Sequence, residues 1–221
     1  MNTAMTAAMN VLDAQSLIAA FGLAGILIIL FVETGLLFGF FLPGDSLLFL
    51  AGVGASGAAA EVFDQPGFHL SLTALLIGAP LCATAGAQLG HLLGARIGPK
   101  LFARPESRLF KQEYVHKAEA YFARYGAGKA VVLARFLPVV RTFLNPVAGV
   151  LGMRAGQFLL WNLLGGCLWT VGLILLGYQL GDSLKGSIDS YLLPAVVLII
   201  VLSLVPVLIE AIRSRRAAES Q

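Results

Sequence analysis

The chain has 221 residues, of which 58% are hydrophobic and 12% are charged, and its formal net charge is +3. Soluble globular domains carry about 25% charged residues, so this chain lacks the polar groups to cover a soluble surface. The composition excludes an ordinary cytosolic enzyme, a disordered chain and a nucleic-acid-binding module. Two cysteines, Cys82 and Cys167, lie in apolar stretches and give no disulfide framework and no metal-ligand spacing. We therefore expect a membrane protein without a cofactor or a metal.

Four segments contain no Asp, Glu, Lys or Arg. A helix needs about 20 residues to cross a bilayer core, and each segment has about that length or is longer. These segments are residues 14–32, 65–95, 155–181 and 190–209. We predict a membrane-spanning helix in each of them. The whole chain, residues 1–221, is then a single all-α membrane domain.

Two further apolar regions, residues 33–60 and 130–153, are interrupted by prolines and charges. The expected breaking residues are Pro43 and Gly44 in the first region, and Pro138, Asn145 and Pro146 in the second. Proline disrupts a helix interior, and non-helical backbone is tolerated at membrane depth only where protein or a water-filled cavity shields it. We predict that both regions form re-entrant hairpins. Two kinked full spans are the alternative.

Basic residues predict the orientation of the spans, because cytoplasmic loops are enriched in Lys and Arg. Residues 96–129 and the tail, residues 210–221, are rich in basic side chains, whereas the loops at residues 61–64 and 182–189 are mainly acidic. Both basic segments are therefore expected in the cytoplasm, together with the N- and C-termini. The first hairpin then enters the membrane from outside and the second enters it from the cytoplasm.

Residues 104–126 combine an aromatic face with a basic face. Pro105 is suited to a helix start and Gly126 to a helix end. An amphipathic helix of this kind lies in the cytoplasmic interface of the membrane or packs on the helical bundle, and the sequence leaves both open.

The second predicted span carries small residues at a spacing of four. They are Gly78, Cys82, Gly86, Gly90, Gly94 and Gly98. A stripe of small residues lets helices approach closely in lipid, so we expect this stripe to serve helix packing and not a substrate path.

Four charged residues lie within or at the edge of the two hairpins: Glu33, Asp45, Arg135 and Arg141. One charge at the bilayer centre costs about 2.5–3.5 kcal/mol, so four unpaired charges would cost on the order of 10 kcal/mol, which is comparable to the stability of a whole protein. We predict that the hairpin tips meet near the midplane. The acids of the first hairpin then come within reach of the arginines of the second.

A short string is common to the two hairpins, because Phe-Leu-Pro occurs at residues 41–43 and again at 136–138. Together with the opposite entry sides, this string indicates an inverted-topology repeat. In transporters built from such repeats the substrate site lies near the midplane between broken helices, whose N-termini favour anionic groups. The predicted architecture is a helical bundle that contains two oppositely oriented re-entrant hairpins.

Two longer strings carry a family resemblance. Residues 33–45, ETGLLFGFFLPGD, and residues 135–149, RFLPVVRTFLNPVAG, resemble the two motifs of the DedA membrane proteins, whose domain is called the VTT or SNARE-associated domain in eukaryotic relatives. The resemblance covers roughly residues 16–205. It implies two opposed re-entrant hairpins and lipid translocation, with undecaprenyl phosphate recycling in some bacterial members and phospholipid flipping or scrambling in others. It also implies dependence on the proton gradient and a place in the bacterial inner membrane.

The expected function is therefore that of a lipid transporter or flippase, which moves a lipid phosphate such as undecaprenyl phosphate with proton coupling. Arg135 and Arg141 are candidates for phosphate binding, because a guanidinium can match a phosphate with two hydrogen bonds. Glu33 and Asp45 are candidates for proton coupling, because burial favours a neutral carboxyl group and a nearby guanidinium favours the ionised form. A purely structural ion-pair network is the alternative role for all four residues.

Other functions stay open: a phosphatidylethanolamine flippase or scramblase, a proton-dependent small-anion transporter, and a structural or assembly protein. An enzyme is not expected, because no nucleophile motif or metal cluster accompanies the arginines. The expected partners are a membrane lipid and protons, without nucleic acid, and a homo-oligomer is left open. Among the lesser polar residues, Asn145 is expected to satisfy broken backbone and Asn162 to hydrogen-bond between helices. Trp161 and Trp169 are expected to be packing or interface residues.

Overall fold

The computed structural model describes residues 14–36, 44–102 and 112–183, and this part of the chain is helical apart from short turns, without a β-strand. Its helices, in chain order, are α1 (Ala14–Gly35), α2 (Gly44–Gly54), α3 (Ala59–Val62), α4 (Leu72–Phe102), α5 (Gln112–Tyr125), α6 (Ala127–Ala134), α7 (Pro138–Val150) and α8 (Ala155–Ser183). The all-α prediction is confirmed for these residues. Four predicted features lie outside the described residues: Pro43, the helix start at Pro105, the span at 190–209 and the tail at 210–221.

Two of these helices are long and apolar enough to cross a membrane. They are α4, over Leu72–Gly98, and α8, over Ala155–Ser183. Helix α8 coincides with the predicted span at residues 155–181. Helix α4 begins at Leu72, later than the predicted start at residue 65. Gly67 adopts a left-handed conformation with a φ of 81°, which prevents a helix from running through this residue.

The first predicted span is interrupted near its start. Gly22 in α1 has a φ of 56° and a ψ of −147°, a conformation that only glycine adopts without strain. The apolar helical part that follows, Phe21–Gly35, is shorter than a full span. Its last turn carries Glu33 and Thr34 towards the segment that leads into α2.

The second interrupted region has one break instead of two. Helix α6 ends at Ala134 and α7 begins at Pro138, and Leu137 between them is extended, as the residue before a proline prefers. Contrary to the sequence prediction, α7 continues through Asn145 and Pro146. A proline removes a single backbone donor, and the facing α4 gives room here, since a Cβ on Gly94 would overlap the backbone of Pro146.

The small residues of α4 pack against two helices, as predicted. A Cβ on Gly86 would overlap the Phe31 carbonyl oxygen of α1, and a Cβ on Gly90 would lie 3.0 Å from the carbonyl oxygen of Gly35. Gly94 makes the corresponding contact with α7. Helix α4 therefore holds the end of α1 and the C-terminal half of α7 at backbone contact distance.

Helices α2 and α8 cross just as closely. A Cβ on Gly52 would overlap the Ile174 carbonyl oxygen, and a Cβ on Gly177 would overlap that of Phe49. At the end of the crossing, the Gly57 N–H donates to the Asp182 carboxylate at 3.1 Å. This contact fixes α2, which begins one residue before Asp45, against α8.

The amphipathic segment forms α5, which ends before Gly126, where a φ of 78° stops the helix as predicted. Tyr121 and Phe122 of α5 pack on an apolar cluster that includes Val131 and Phe158. The C-terminal half of α5 thus contacts the bundle, which is one of the two arrangements that the sequence left open.

Large apolar side chains lie at the surface of this structure, and several charged side chains are buried. The side chains of Ile28 and Leu160 are 64% and 65% exposed, whereas Glu33 and Arg135 are each 2% exposed. A soluble protein has the reverse distribution, because buried charges are costly and large exposed apolar patches drive association. This distribution suits a surface that faces lipid around a polar interior.

Candidate functional site

The predicted acids meet one arginine at the centre of the bundle. Arg141, in the first turn of α7, places Nη2 2.7 Å from Oε1 of Glu33 and Nη1 2.6 Å from Oδ1 of Asp45. The side chains of Arg141 and Glu33 are only 8% and 3% exposed, and that of Asp45 is 22% exposed. The prediction that acids of the first interrupted region pair with the second is confirmed for Arg141. We call these three residues the ion-pair cluster.

Trp169 of α8 completes the cluster. Its indole N–H donates to Oδ1 of Asp45 at 2.8 Å, the same oxygen that accepts from Arg141. The guanidinium carbon of Arg141 lies 4.5 Å from the indole centroid, and that of Arg135 lies 6.0 Å from it. One aromatic ring therefore contacts both guanidinium groups, which favours two like charges near each other.

Arg135 has neutral partners. Its Nη2 donates to the Asn162 side-chain oxygen of α8 and to the Ala83 carbonyl of α4 at 3.3 Å. Asn162 in turn donates to the Thr84 carbonyl at 3.0 Å. Among the described residues Arg135 forms no ion pair, so the predicted pairing of acids with both arginines holds only for Arg141. Arg135 belongs to the turn before α7, and from there it reaches α4 and α8 and not the acids.

The start of α2 is part of the site. A Cβ on Gly44 would overlap the Glu33 carboxylate, so only glycine allows this approach. The N–H groups of a first helical turn have no partner within the helix and carry partial positive charge, which favours a carboxylate there. Arg141 stands in the first turn of α7. The N-terminal ends of two helices therefore meet at the ion-pair cluster.

Gly44→Ala is expected to displace Glu33 from Arg141 and to lower the free energy of unfolding by about 3–5 kcal/mol, the usual effect of breaking a buried ion pair. Thermal unfolding of the purified protein measures this change. Gly156→Ala is the matched control, because Gly156 lies in the first turn of α8 and no atom lies within 4 Å of its added Cβ. Equal melting temperatures for the two variants would contradict this contact.

Asn145 serves the backbone, as the sequence predicts. Its side-chain amide donates to the Thr34 carbonyl at 2.9 Å, close to the C-terminal end of α1, where carbonyl groups lack helical partners. Asn145→Ala is expected to lower the free energy of unfolding by about 1–3 kcal/mol, because it leaves this buried carbonyl unpaired. Chemical or thermal unfolding measures the loss, and an unchanged stability would contradict the assignment.

Three polar atoms at this centre are buried and have no hydrogen-bond partner in the described part of the chain: Oε2 of Glu33, Nη1 of Arg135 and Oγ1 of Thr84. Most buried polar atoms in proteins are paired, so such a concentration points to function. His91 contacts the Met153 carbonyl at 3.0 Å and stacks on Phe158. Within the described ranges no group of three or more His, Cys, Asp or Glu side chains could hold a metal ion.

A pocket of about 320 Å³ lies away from this centre, between α5, α6 and the start of α8. Its lining residues are Phe122, Ala127, Leu151, Gly152, Met153, Arg154 and Gln157. None of the predicted site residues lines it. The centre described above is instead closely packed, with Glu33, Arg135 and Arg141 buried.

Comparisons with known proteins agree with these observations. Residues 28–179 match the family model of the VTT domain. The chain is 40% identical to the uncharacterized membrane protein Rv0364 of Mycobacterium tuberculosis (strain H37Rv), over 98% of this chain and 93% of the relative. It is 38% identical to the protein DedA of Escherichia coli (strain K12), over 91% of this chain and 89% of that protein.

The inner membrane protein YqjA of Escherichia coli (strain K12) is 32% identical over 71% of this chain and 66% of its own length. No solved structure matches the chain. Because the VTT domain model covers most of the chain and the relatives align over nearly its whole length, the protein belongs to the DedA family of VTT-domain membrane proteins.

Proposed function

We propose that the protein moves a lipid phosphate, such as undecaprenyl phosphate, across the bacterial inner membrane with proton coupling. Membership of the DedA family indicates a transporter-like role in the membrane. The observation that carries the finer proposal is Arg141, a buried guanidinium that two carboxylates hold where two helix N-termini meet. A phosphate has the charge and the paired oxygens to replace those carboxylates.

The proposed architecture has two re-entrant hairpins related as an inverted repeat. The break between α6 and α7 and the separate short helix α2 support it, because each contributes a helix start at the ion-pair cluster. Asp45 and Arg141, which contact each other, stand in the first turns of α2 and α7. The basic residues at 96–129 place this segment and both termini in the cytoplasm in the proposed topology.

Proton coupling follows from the charge of the ion-pair cluster. If Arg141 turned to a phosphate while Glu33 and Asp45 stayed ionised, two buried carboxylates would lose their partner, at a cost of several kcal/mol. Protonation of one carboxyl group removes the share of this cost that comes from its charge. In the proposed cycle, proton uptake by Glu33 or Asp45 frees Arg141 for the lipid phosphate. Proton release on the other side restores the ion pairs and expels the lipid.

Access from lipid favours a lipid over a water-soluble anion. Phe136, next to Arg135 in the turn before α7, is 50% exposed at the apolar outer surface. The arginine thus lies one residue from the surface that faces lipid in the proposed topology. A lipid phosphate can enter through this side while its tail stays in the bilayer. The same route would suit phosphatidylethanolamine, which is the second candidate substrate.

The test is movement of labelled lipid in proteoliposomes, with undecaprenyl phosphate and phosphatidylethanolamine followed separately and with or without a pH gradient. We expect undecaprenyl phosphate to move faster with the gradient, and Glu33→Gln and Asp45→Asn to remove this dependence. Glu61→Gln is the matched control, because Glu61 is an exposed acid outside the ion-pair cluster. No lipid movement by the wild-type protein, or a gradient effect that survives both substitutions, would contradict the proposal.

A further inference from the structure

The neutral surroundings of Arg135 leave two buried donors without acceptors. Among the described residues, Nη1 of Arg135 and Oγ1 of Thr84 have no hydrogen-bond partner. Asn162 joins them, because it accepts from Arg135 and donates to the Thr84 carbonyl. Both residues are well buried, with exposed fractions of 2% for Arg135 and 5% for Thr84. Each buried donor without an acceptor lowers the stability of the fold. These two donors are therefore better explained by a function than by a contribution to stability.

Thr84 differs from the other buried helical threonines. Thr34 and Thr170 each donate to the carbonyl of the residue four positions earlier, at 2.7 and 2.8 Å, as threonine commonly does in a helix. Thr84 makes no such bond, although the carbonyl four residues before it is available in the same helix α4. Its hydroxyl hydrogen is therefore free to donate to a group that the protein does not supply.

The chemistry of the two donors selects an anion. A guanidinium N–H can only donate, so its missing partner must be an acceptor. Arg141 contacts two carboxylates, whereas Arg135 contacts none among the described residues. Of the two arginines, Arg135 is therefore the one whose positive charge is not neutralised by an ion pair. An oxyanion would supply both the acceptor oxygens and the negative charge.

Helix α8 keeps its side chains out of this place. A Cβ on Gly165 would lie 3.1 Å from Cγ of Arg135, and a Cβ on Gly166 would lie 3.1 Å from Oγ1 of Thr84. A side chain at position 166 would press on the Thr84 hydroxyl, and one at position 165 would press on the aliphatic part of Arg135. The paired glycines therefore keep the side chains of α8 away from Arg135 and Thr84, which are buried in a closely packed centre.

We propose that Arg135 and Thr84, positioned by Asn162, form an oxyanion subsite that receives the phosphate of the substrate. This inference rests on the proposed function and assigns a different role to each of the two arginines. Arg135 takes the phosphate first, because the Nη1 amino group of its guanidinium is unpaired. Arg141 stays with Glu33 and Asp45 until one of them is protonated, and then joins the same phosphate.

Thr84→Val tests the subsite with little risk to folding. Valine has nearly the shape of threonine and removes a hydroxyl group that forms no bond in the protein, so the melting temperature should stay the same or rise. Phosphate affinity should fall about tenfold, as expected for a lost hydrogen bond to a charged group. Thr170→Val is the matched control, because its hydroxyl donates to the Gly166 carbonyl. This control should lose thermal stability and keep its phosphate affinity.

Asn162→Asp provides a second test, which adds a negative charge beside Arg135 instead of removing a donor. It places a carboxylate on Arg135 and should abolish phosphate binding by satisfying the charge within the protein. Asn145→Asp is the control, because Asn145 also donates to a backbone carbonyl, that of Thr34, but does not contact Arg135. Both variants lose one bond of the same kind. Only Asn162→Asp should lose phosphate binding.

Binding is measured by calorimetry on the full chain in lipid nanodiscs, with inorganic phosphate and a short polyprenyl monophosphate as probes and the polyprenyl alcohol as a blank. Binding of either phosphate probe that weakens in Thr84→Val and is lost in Asn162→Asp supports the subsite. Binding of the polyprenyl phosphate alone identifies a lipid as the source of the anion, and binding of both identifies a site that free phosphate also reaches. No binding of either probe, or equal affinity for Thr84→Val and wild type, overturns the inference.

The two proposals fail in different ways. Phosphate binding that depends on Thr84, without lipid movement in proteoliposomes, keeps the subsite and rejects the proposed transport. Lipid movement at the wild-type rate in Thr84→Val and Asn162→Asp keeps the transport and rejects the subsite.

Discussion

Arg141→Ala should abolish lipid movement and destabilise the fold at once. The substitution leaves Glu33 and Asp45 buried without their shared cation, which typically costs about 3–5 kcal/mol. It also removes the proposed partner of the substrate phosphate, and we expect a loss of at least about 100-fold in transport rate from the loss of a buried charged hydrogen bond. Thermal unfolding and lipid movement in proteoliposomes measure the two effects separately.

Two further variants separate charge from geometry. Arg141→Lys keeps the charge but cannot contact both carboxylates with one planar group, so it should recover part of the stability and little of the transport. Arg154→Ala is the control for loss of an arginine, because Arg154 is exposed and lies outside the ion-pair cluster. Transport by Arg141→Ala at a rate close to that of Arg154→Ala would contradict the role of the cluster.

Gly177→Val should prevent the stable packing of α2 on α8. Already the first side-chain carbon would overlap the Phe49 carbonyl oxygen, and Val53 N would lie 3.2 Å away, so the helices must separate. Overpacking of this kind typically costs about 1–3 kcal/mol, and we expect the upper end because the obstacle is backbone. Since α2 carries Asp45, transport should fall as well.

Gly172→Val on the same helix is the matched control, because no atom lies within 4 Å of its added Cβ. The melting temperature and the yield of folded protein should drop for Gly177→Val and stay near wild type for Gly172→Val. Similar behaviour of the two variants would mean that α2 and α8 do not cross at backbone contact distance.

The sequence predicts the main features of the site because a charged side chain in an apolar chain can be buried in only a few ways. Glu33, Asp45 and Arg141 stand out against charge-free surroundings, and mutual pairing is the cheapest way to bury them. The four-residue stripe of α4 predicts close packing for the same kind of reason, since lipid gives glycine no other advantage there. Composition and charge therefore predict the membrane class and the central contact.

The remaining features depend on geometry that the pattern does not contain. Trp169 and Asn162 are uncharged residues in an apolar span, where tryptophan and asparagine usually serve packing. Their separation by seven residues, two helical turns, places them on one face of α8, and only the fold shows that this face meets both arginines. Pro146 lies inside α7 although the sequence predicts a break there, since the proline removes only one backbone donor and its backbone packs closely on Gly94 of α4.

Proton uptake on substrate binding tests the central claim most directly. Calorimetric titration with a polyprenyl phosphate in buffers of different ionisation enthalpy counts the protons taken up, and the Glu33→Gln/Asp45→Asn variant corrects for protons on the phosphate itself. If phosphate replaces carboxylates at Arg141, the wild-type protein should take up about one proton more per bound lipid than this variant. Equal proton uptake by the two proteins at equal occupancy would show that the carboxylates keep Arg141 and that the exchange does not occur.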